Sequence, residues 1–291
     1  MTYFINEISN QPPQPLRHLL QKTWLLPKRY VHFLRINQNV LVNGKYVSMN
    51  TIVHPDDQLE MRFDGNEFRT DQVYQPNDRL TLPILYENRD LVVINKTAGI
   101  KSHPNQPDEL DTVMNYLAAQ FDHSQMVHRL DQATSGAMIV AKNPIVVPIL
   151  NRLLSTHQIN REYFTLTSGH WAPTTGSINF PIGRDPKDQR KRQVDGLDAL
   201  PAQTNFALVQ ADQTHSLVKL QLATGRTHQI RVHLAAMHHP IVGDPLYGIE
   251  HAPRMMLHAF QLNLILPFTG EQLIIKAPLP DKFKPYLNQK R

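Results

Sequence analysis

His128-Arg129-Leu130-Asp131-Gln132-Ala133-Thr134-Ser135-Gly136 runs directly into Ala137-Met138-Ile139-Val140-Ala141-Lys142. Thr134 and Ser135 can bond nearby backbone and Gly136 allows a tight bend, so the first part reads as a loop. Ala137 to Ala141 does not alternate between apolar and polar, which predicts a short strand buried on both faces. Arg129 and Asp131 then stand at the mouth of a buried strand, where a rigid scaffold can hold loop side chains for chemistry. The plainer alternative is an Arg–Asp pair that only ties the loop down.

Composition narrows the possibilities. The chain has 291 residues, which favours about two domains, and 41% hydrophobic residues, enough for a sizeable core. It has no cysteine, which excludes disulfides, cysteine zinc sites and thiol nucleophiles and fits a reducing cytoplasm. No run of about 18 apolar residues is present, so no membrane partner is expected. The first fourteen residues lack the pattern of a signal peptide. Thirty Lys and Arg against 25 Asp and Glu, with a pI near 9.3, lean toward a polyanionic partner.

From the N-terminus, Leu16, Leu19, Leu20 and Trp24 repeat at helical spacing. Pro27 opens a second helix with Tyr30, Val31, Phe33, Leu34 and Ile36 as its apolar positions. Asn43-Gly44, between Val40-Leu41-Val42 and Lys45-Tyr46-Val47, marks a hairpin. Arg17, Lys28, Arg29 and Arg35 on the two helices are either a solvated face or phosphate contacts. These features predict a small unit over 12–72 and a polar linker over 73–79, ahead of a larger domain over 80–286. In that domain Leu110 to Phe121 reads as a helix capped by Asp111 or Thr112. Pro148 sets the start of the next helix, and Glu162 to Leu166 is a strand with Tyr163 near its start. Lys187, Arg190, Lys191 and Arg192 cluster on an expected exposed loop that can grip phosphates. A further helix is expected to open at Thr227, with Ile230 and Leu234 facing the core and Arg231 on a neighbouring face. His228 and His233 are spaced wrongly for two metal ligands on one helical face, so no metal is expected.

The two basic helices and the Val40-Leu41-Val42-Asn43-Gly44-Lys45 hairpin resemble the alpha-L RNA-binding domain. The larger domain resembles the RluA/RluD family of pseudouridine synthases. Three segments carry that resemblance: His128-Arg-Leu-Asp131-x-x-Thr-Ser-Gly136, Arg161-Glu-Tyr163, and Thr224-Gly-Arg-Thr-His-Gln-Ile-Arg231-Val-His233 with the Gly243-Asp-Pro-Leu-Tyr-Gly248 loop. It implies an α+β fold, with a mixed, mainly antiparallel sheet, flanking helices and a central cleft behind the small alpha-L domain. It also implies isomerisation of uridine in RNA to pseudouridine without a cofactor. Carried over position by position, the catalytic aspartate falls on Asp131, the base-displacing arginine on Arg129, the stacking tyrosine on Tyr163 and the active-site basic residue on Arg231. Thr97, the Asp198-to-Thr204 segment and Met255-Met256 depart from the family pattern, away from those four positions.

Chemistry agrees with these residue types. A stacked base has no room to turn over, so the nucleotide must be extruded, and a planar guanidinium suits the vacated place. Breaking the glycosidic bond builds positive character on the ribose. A carboxylate there can stabilise the charge, attack the anomeric carbon or remove a neighbouring proton. The expected partner is RNA, ribosomal or transfer, in the cytoplasm, with a monomer favoured. Two rivals remain at this stage: a binding or ribosome-assembly factor on the same fold, and a glycosylase that releases free base.

Overall fold

The computed structural model describes residues 2–68, 72–171 and 173–286. Residues 69–71, inside the expected 12–72 unit, lie outside the described residues. The N-terminal part contains β1 (Tyr3–Ile8), β2 (Gln14–Pro15), α1 (Leu16–His18), α2 (Lys28–Ile36), β3 (Val40–Val42), β4 (Lys45–Tyr46), β5 (Ile52–Val53) and β6 (Gln58–Phe63). Asn43 and Gly44 have φ of 51° and 73°, the two left-handed positions of a hairpin turn, and β3 pairs with β4 around them. Leu59, Met61 and Phe63 alternate inward on β6. β1 pairs with β6 along its whole length, although the expected unit began only at residue 12. The first expected helix is shorter than its apolar spacing implied. After α1 the chain widens into a π turn over Leu19–Thr23, with Trp24 N–H bonded to Leu19 O at 2.8 Å. The wider turn still buries Leu16, Leu19, Leu20 and Trp24 together.

The larger part adds β7 (Ile84–Glu87), β8 (Leu91–Lys96), α3 (Val113–Ala118), β9 (Gln125–Met126), β10 (Ser135–Ala141), α4 (Val147–Ser155), β11 (Asn160–Ser168), β12 (Thr175–Ile178), β13 (Ile182–Arg184), β14 (Arg192–Val194), β15 (Leu197–Leu200), β16 (Thr204–Ala211), β17 (His215–Leu222), α5 (Gln229–Ala236), β18 (Leu257–Ile265) and β19 (Gln272–Lys276). One sheet runs in the order β12-β16-β17-β11-β18-β10-β8-β7, with β19 on β18 and β9 on β10. Thr112 caps α3 by accepting from Asn115 N–H, and Pro148 sits in the first turn of α4, where its missing N–H costs nothing. All seven residues of β10 are buried, as the unbroken apolar run implied. Val92, Ile94, Met138 and Val140 share a core with α3 on one face. On the other face, Leu91, Val93, Ala137 and Ile139 belong to a core that continues through α4 into the N-terminal part. Trp24 packs edge-on against Phe268, and Arg89 reaches Asn6 O and the Glu7 carboxylate. The expected linker is also held down: Tyr74 is buried in the α3-side core and Asn77 N–H bonds Asn115 O.

Every pairing in this sheet is antiparallel except β10 with β18, joined by Ser135 opposite His258 and Gly136 opposite Ala259. Those two register pairs connect the halves of the sheet. Gly136 has φ +111°, and a Cβ there would lie 2.1 Å from Ala259 O. Gly136→Ala is therefore expected to destabilise the fold by about 3 kcal/mol or more, since neither backbone nor neighbour can yield cheaply. Urea unfolding would measure this, and an unchanged midpoint would contradict the close approach.

Candidate active site

The Asp131 loop is pinned from below by buried groups. His128 Nε2 accepts Ile139 N–H at 3.0 Å, so the ring holds the loop to β10. Ser102 Oγ donates to Leu130 O at 2.6 Å and accepts Leu130 N–H at 3.1 Å. Lys96 is wholly buried, with Nζ 3.0, 3.1 and 2.8 Å from the carbonyls of Thr97, Gln132 and Thr134. These three acceptors match the three donors of an ammonium group. Burial pushes Lys96 down to about 7, against the pull of the Asp131 charge. With the backbone so held, the side chains of Arg129 and Asp131 line the open space above it.

Burial pushes His128 down to about 3. The unfolded chain, with an ordinary histidine near 6.5, therefore binds a proton over a range where the folded chain does not. Stability is full above about pH 6.5 and should fall as pH drops from there toward 3, by at most about 1.4 kcal/mol per unit from this residue. Urea unfolding at several pH values should show a shallower dependence in His128→Gln, and an equal slope would exclude this residue as the source.

α5 supplies the facing group. His228, at φ 58°, precedes the helix, which opens at Gln229 rather than at the expected Thr227. Gln229 explains the shift: its Oε1 accepts Thr224 Oγ1 at 2.7 Å and Arg226 N–H at 3.0 Å, which folds the Thr224-to-His228 loop back on the helix. Arg231, expected on a neighbouring face, is buried instead. Its Nε and Nη2 donate to Asp244 at 2.7 and 2.8 Å as a two-pronged fork, and its Nη1 donates to Asp131 Oδ2 at 3.0 Å. Asp244 is fully buried, Arg231 is 4% exposed and Asp131 18%. Only the outermost carboxylate of this row thus reaches solvent. Asp131 Oδ1 takes no hydrogen bond among the described residues. Burial works against the charge on Arg231, but the bonds and charge of Asp244, with Asp131, raise its pKa above the ordinary value. Burial likewise opposes the charge on Asp244, and the Arg231 fork with two backbone N–H groups, from Leu246 and Tyr247, lowers its pKa nonetheless. His228 Nε2 stands 3.8 Å from Asp131 Oδ2, and burial favours its neutral form. Its Nδ1 meets Tyr247 Oη at 2.9 Å.

The sheet delivers Tyr163. It lies opposite Ala259 on β18, whose other side faces Gly136, and a bulge between Glu162 and Tyr163 resets the register there. The ring is buried, and that burial, opposed by Arg161 and aided by Asp131, raises the phenol pKa, so the hydroxyl is neutral at ordinary pH. Tyr163, Arg161, Arg129, Asp131 and Arg231 share a hollow of about 100 Å³. A larger hollow of about 660 Å³ shares Arg129, Asp131 and Arg231 with it and extends past His103, Leu246 and Arg254. The four residues brought together by the sequence argument therefore meet around one cleft.

The basic residues fare differently. Arg17, Lys28 and Arg35 are exposed and form no ion pair among the described residues. Arg29 instead spends its guanidinium on Glu67 O and Asn66 O. Lys187, Arg190 and Lys191 lie on the expected loop, residues 185–191, which joins two strands of a three-stranded sheet, β14-β13-β15; only Arg192 is on a strand, because Arg184 pairs with it. In the loop Lys187 is exposed, whereas Arg190 is forked onto Asp188. Lys191 Nζ lies 5.9 Å from the Tyr247 ring centroid, and Arg192 N–H donates to Tyr247 Oη at 2.8 Å. Asp244, Lys96 and Arg254 were not singled out as site residues. The first lay in a quoted motif, and its signal was a lone carboxylate following a helix that carries an arginine.

Among the described residues no cluster of His, Cys, Asp or Glu could hold a metal ion, and His233 is bonded to Thr204 and Phe180 O. Among the described residues no helix is long and apolar enough to cross a membrane.

Comparison with known proteins follows the same lines. Residues 90–236 match the RNA pseudouridylate synthase family, and residues 4–59 match the RluD ribosomal pseudouridine synthase N-terminal domain. The chain is 35% identical over 290 residues to the uncharacterized RNA pseudouridine synthase YhcT of Bacillus subtilis (strain 168), covering 96% of this chain and 94% of that one. It is 34% identical over 271 residues to ribosomal large subunit pseudouridine synthase D of Escherichia coli (strain K12), covering 84% and 80%. The solved structure of human RNA Pseudouridylate Synthase Domain Containing 1 superposes with a TM-score of 0.60 at 31% identity, over 74% of this chain and 89% of that one. The chain belongs to the RNA pseudouridylate synthase family and is an isomerase that acts on RNA.

Proposed function

We propose that the chain converts uridine in large-subunit ribosomal RNA, in the cytoplasm, with Asp131 as the group that acts at the sugar. The observation that carries this reading is the Asp244–Arg231–Asp131 row, which presents one partly exposed carboxylate oxygen to a cleft. In the reaction the bond from C1′ to N1 breaks, the uracil turns, a bond from C1′ to C5 forms, and the C5 proton leaves while N1 takes one up. Asp131, oriented by its bond from Arg231 Nη1, meets the positive character that develops at C1′. Tyr163 closes the smaller hollow and holds the detached base by ring contact while water is kept out. Arg129, exposed on the same loop, takes the place of the extruded nucleotide. The substrate choice is supported by the large-subunit relative and the N-terminal match, and Arg17, Lys28 and Arg35 offer exposed cations for phosphates. Incubation with large-subunit ribosomal RNA and with transfer RNA, followed by pseudouridine mapping and assay of free uracil, tests it. Pseudouridine in the ribosomal RNA with no uracil released is the expected result. Conversion of transfer RNA alone would overturn the substrate, and released uracil would overturn the isomerase.

A further inference from the structure

Arg254 is a cation without an acid. Its Nε donates to Met255 O at 3.2 Å, and its Nη2 donates to Ser135 Oγ at 2.6 Å. Ser135 Oγ is in turn 2.8 Å from His258 Nδ1, so the guanidinium is held in a fixed direction. No carboxylate lies within ion-pair distance of it among the described residues. Burial lowers its pKa with nothing opposing, in contrast to Arg231 with its two carboxylates. A half-buried arginine in this condition costs free energy unless an anion completes it.

Arg254 lines the larger hollow, which it shares with Asp131, whereas Tyr163 lines only the smaller one. That hollow, at about 660 Å³, holds far more than the smaller one that contains Tyr163. Its walls are mixed: His103, Leu246 and Met255 supply ring and apolar surface, while Lys101 on the same wall is already paired with Glu109. His103 Nδ1 is buried without a hydrogen-bond partner among the described residues, and burial, with the nearby charge of Arg129, lowers its pKa and so favours the neutral ring. A neutral ring beside apolar side chains suits a base; with Arg254 Nη2 also donating to Leu257 O at 3.4 Å, its Nη1, unbonded among the described residues, is the group that can donate to a phosphodiester.

We propose that the larger hollow binds the nucleotide adjoining the target uridine, its phosphodiester on Arg254 and its base against His103 and Leu246. This rests on the reading of Asp131 as the group at the target sugar. It defines the substrate further: the uridine and one neighbour must both be unpaired, as in a loop or bulge and not in a helix.

The test uses a hairpin RNA that the native enzyme converts, with an uncharged methylphosphonate placed at either linkage flanking the target. Binding is measured in the Asp131→Asn protein, so that turnover does not intervene. One of the two uncharged linkages should weaken binding by about tenfold. Adding Arg254→Gln should weaken binding of the all-phosphate RNA about as much, abolish sensitivity to that linkage, and reduce the slope of log K against log salt by about 0.7. A merely structural arginine would leave the linkage sensitivity in place, and that result, or an unchanged slope, overturns the proposal. Should Arg254→Gln not fold, Ala252→Glu puts an opposing charge in the wall of the same hollow. It should likewise cost about tenfold, and unaltered binding overturns the proposal. Product formed by Asp131→Asn itself would instead overturn the Asp131 reading, leaving these binding results to stand.

Discussion

Asp131→Asn is expected to reduce single-turnover conversion by at least about 10⁴-fold, which is about 5 kcal/mol of barrier. The change removes one charge and little else. Asparagine keeps a carbonyl oxygen that can accept from Arg231 Nη1, now at 3.0 Å from Asp131, and Arg231 retains its fork to Asp244. Folding stability should therefore stay within about 1 kcal/mol, because Asp131 is the most exposed member of the row. RNA affinity should change by no more than about threefold. The measurement is pseudouridine formed per enzyme with the variant in excess over RNA, alongside a binding isotherm. Appreciable product would remove Asp131 from the chemistry, and a variant that neither binds nor folds would show that the side chain is structural.

The second large effect concerns Asp244. Asp244→Ala should destabilise the protein by about 3–5 kcal/mol, because a guanidinium only 4% exposed is left without its main counter-charge. The Leu246 and Tyr247 N–H groups that bond Asp244 lose their acceptor as well. In whatever fraction remains folded, Arg231 is no longer held on two sides, and a misplacement of about 1 Å can cost on the order of 10²-fold in rate. The Arg231→Met/Asp244→Leu pair separates the two effects. Replacing both charges with apolar groups should restore most of the stability and none of the rate. Denaturant unfolding and single-turnover kinetics on the three proteins decide it. If the double variant regains activity, the row does not serve Asp131.

Much of this was legible before any coordinates. The Asn43-Gly44 turn, the buried β10 strand and the Asp131 loop announce themselves locally, through left-handed turn residues and an unbroken apolar run. The joining of Asp131 with Tyr163 and Arg231 was legible only through family resemblance, because Tyr163 is brought in by register pairs across three strands far apart in the chain and Arg231 by a side-chain bond from a helix 100 residues on. Local pattern failed where a partner decides the conformation. β1 forms because β6 offers it an edge, and the basic loop over 185–191 is flanked by strands because β13, β14 and β15 pair among themselves. Asp244 and Lys96 escaped for a related reason: a charged residue reads as surface until the groups that neutralise it are known. Gln229 shows the same effect on a helix start, with two side-chain bonds outweighing the apolar spacing.

The core that runs without a break from Leu20 and Trp24 to Val93 and Ile139 changes how the N-terminal part can be studied. Removing residues 1–72 is the obvious way to ask what this region adds to RNA affinity and its salt response. The shared interior makes that amputation a wound instead. It would lay bare the apolar surface that the N-terminal part shares with α4 and the sheet and invite aggregation, so the truncated protein would report on its own insolubility. Charge-neutralising exchanges at Arg17, Lys28 and Arg35 leave the interior sealed, and they are the way to weigh what this region contributes to gripping RNA.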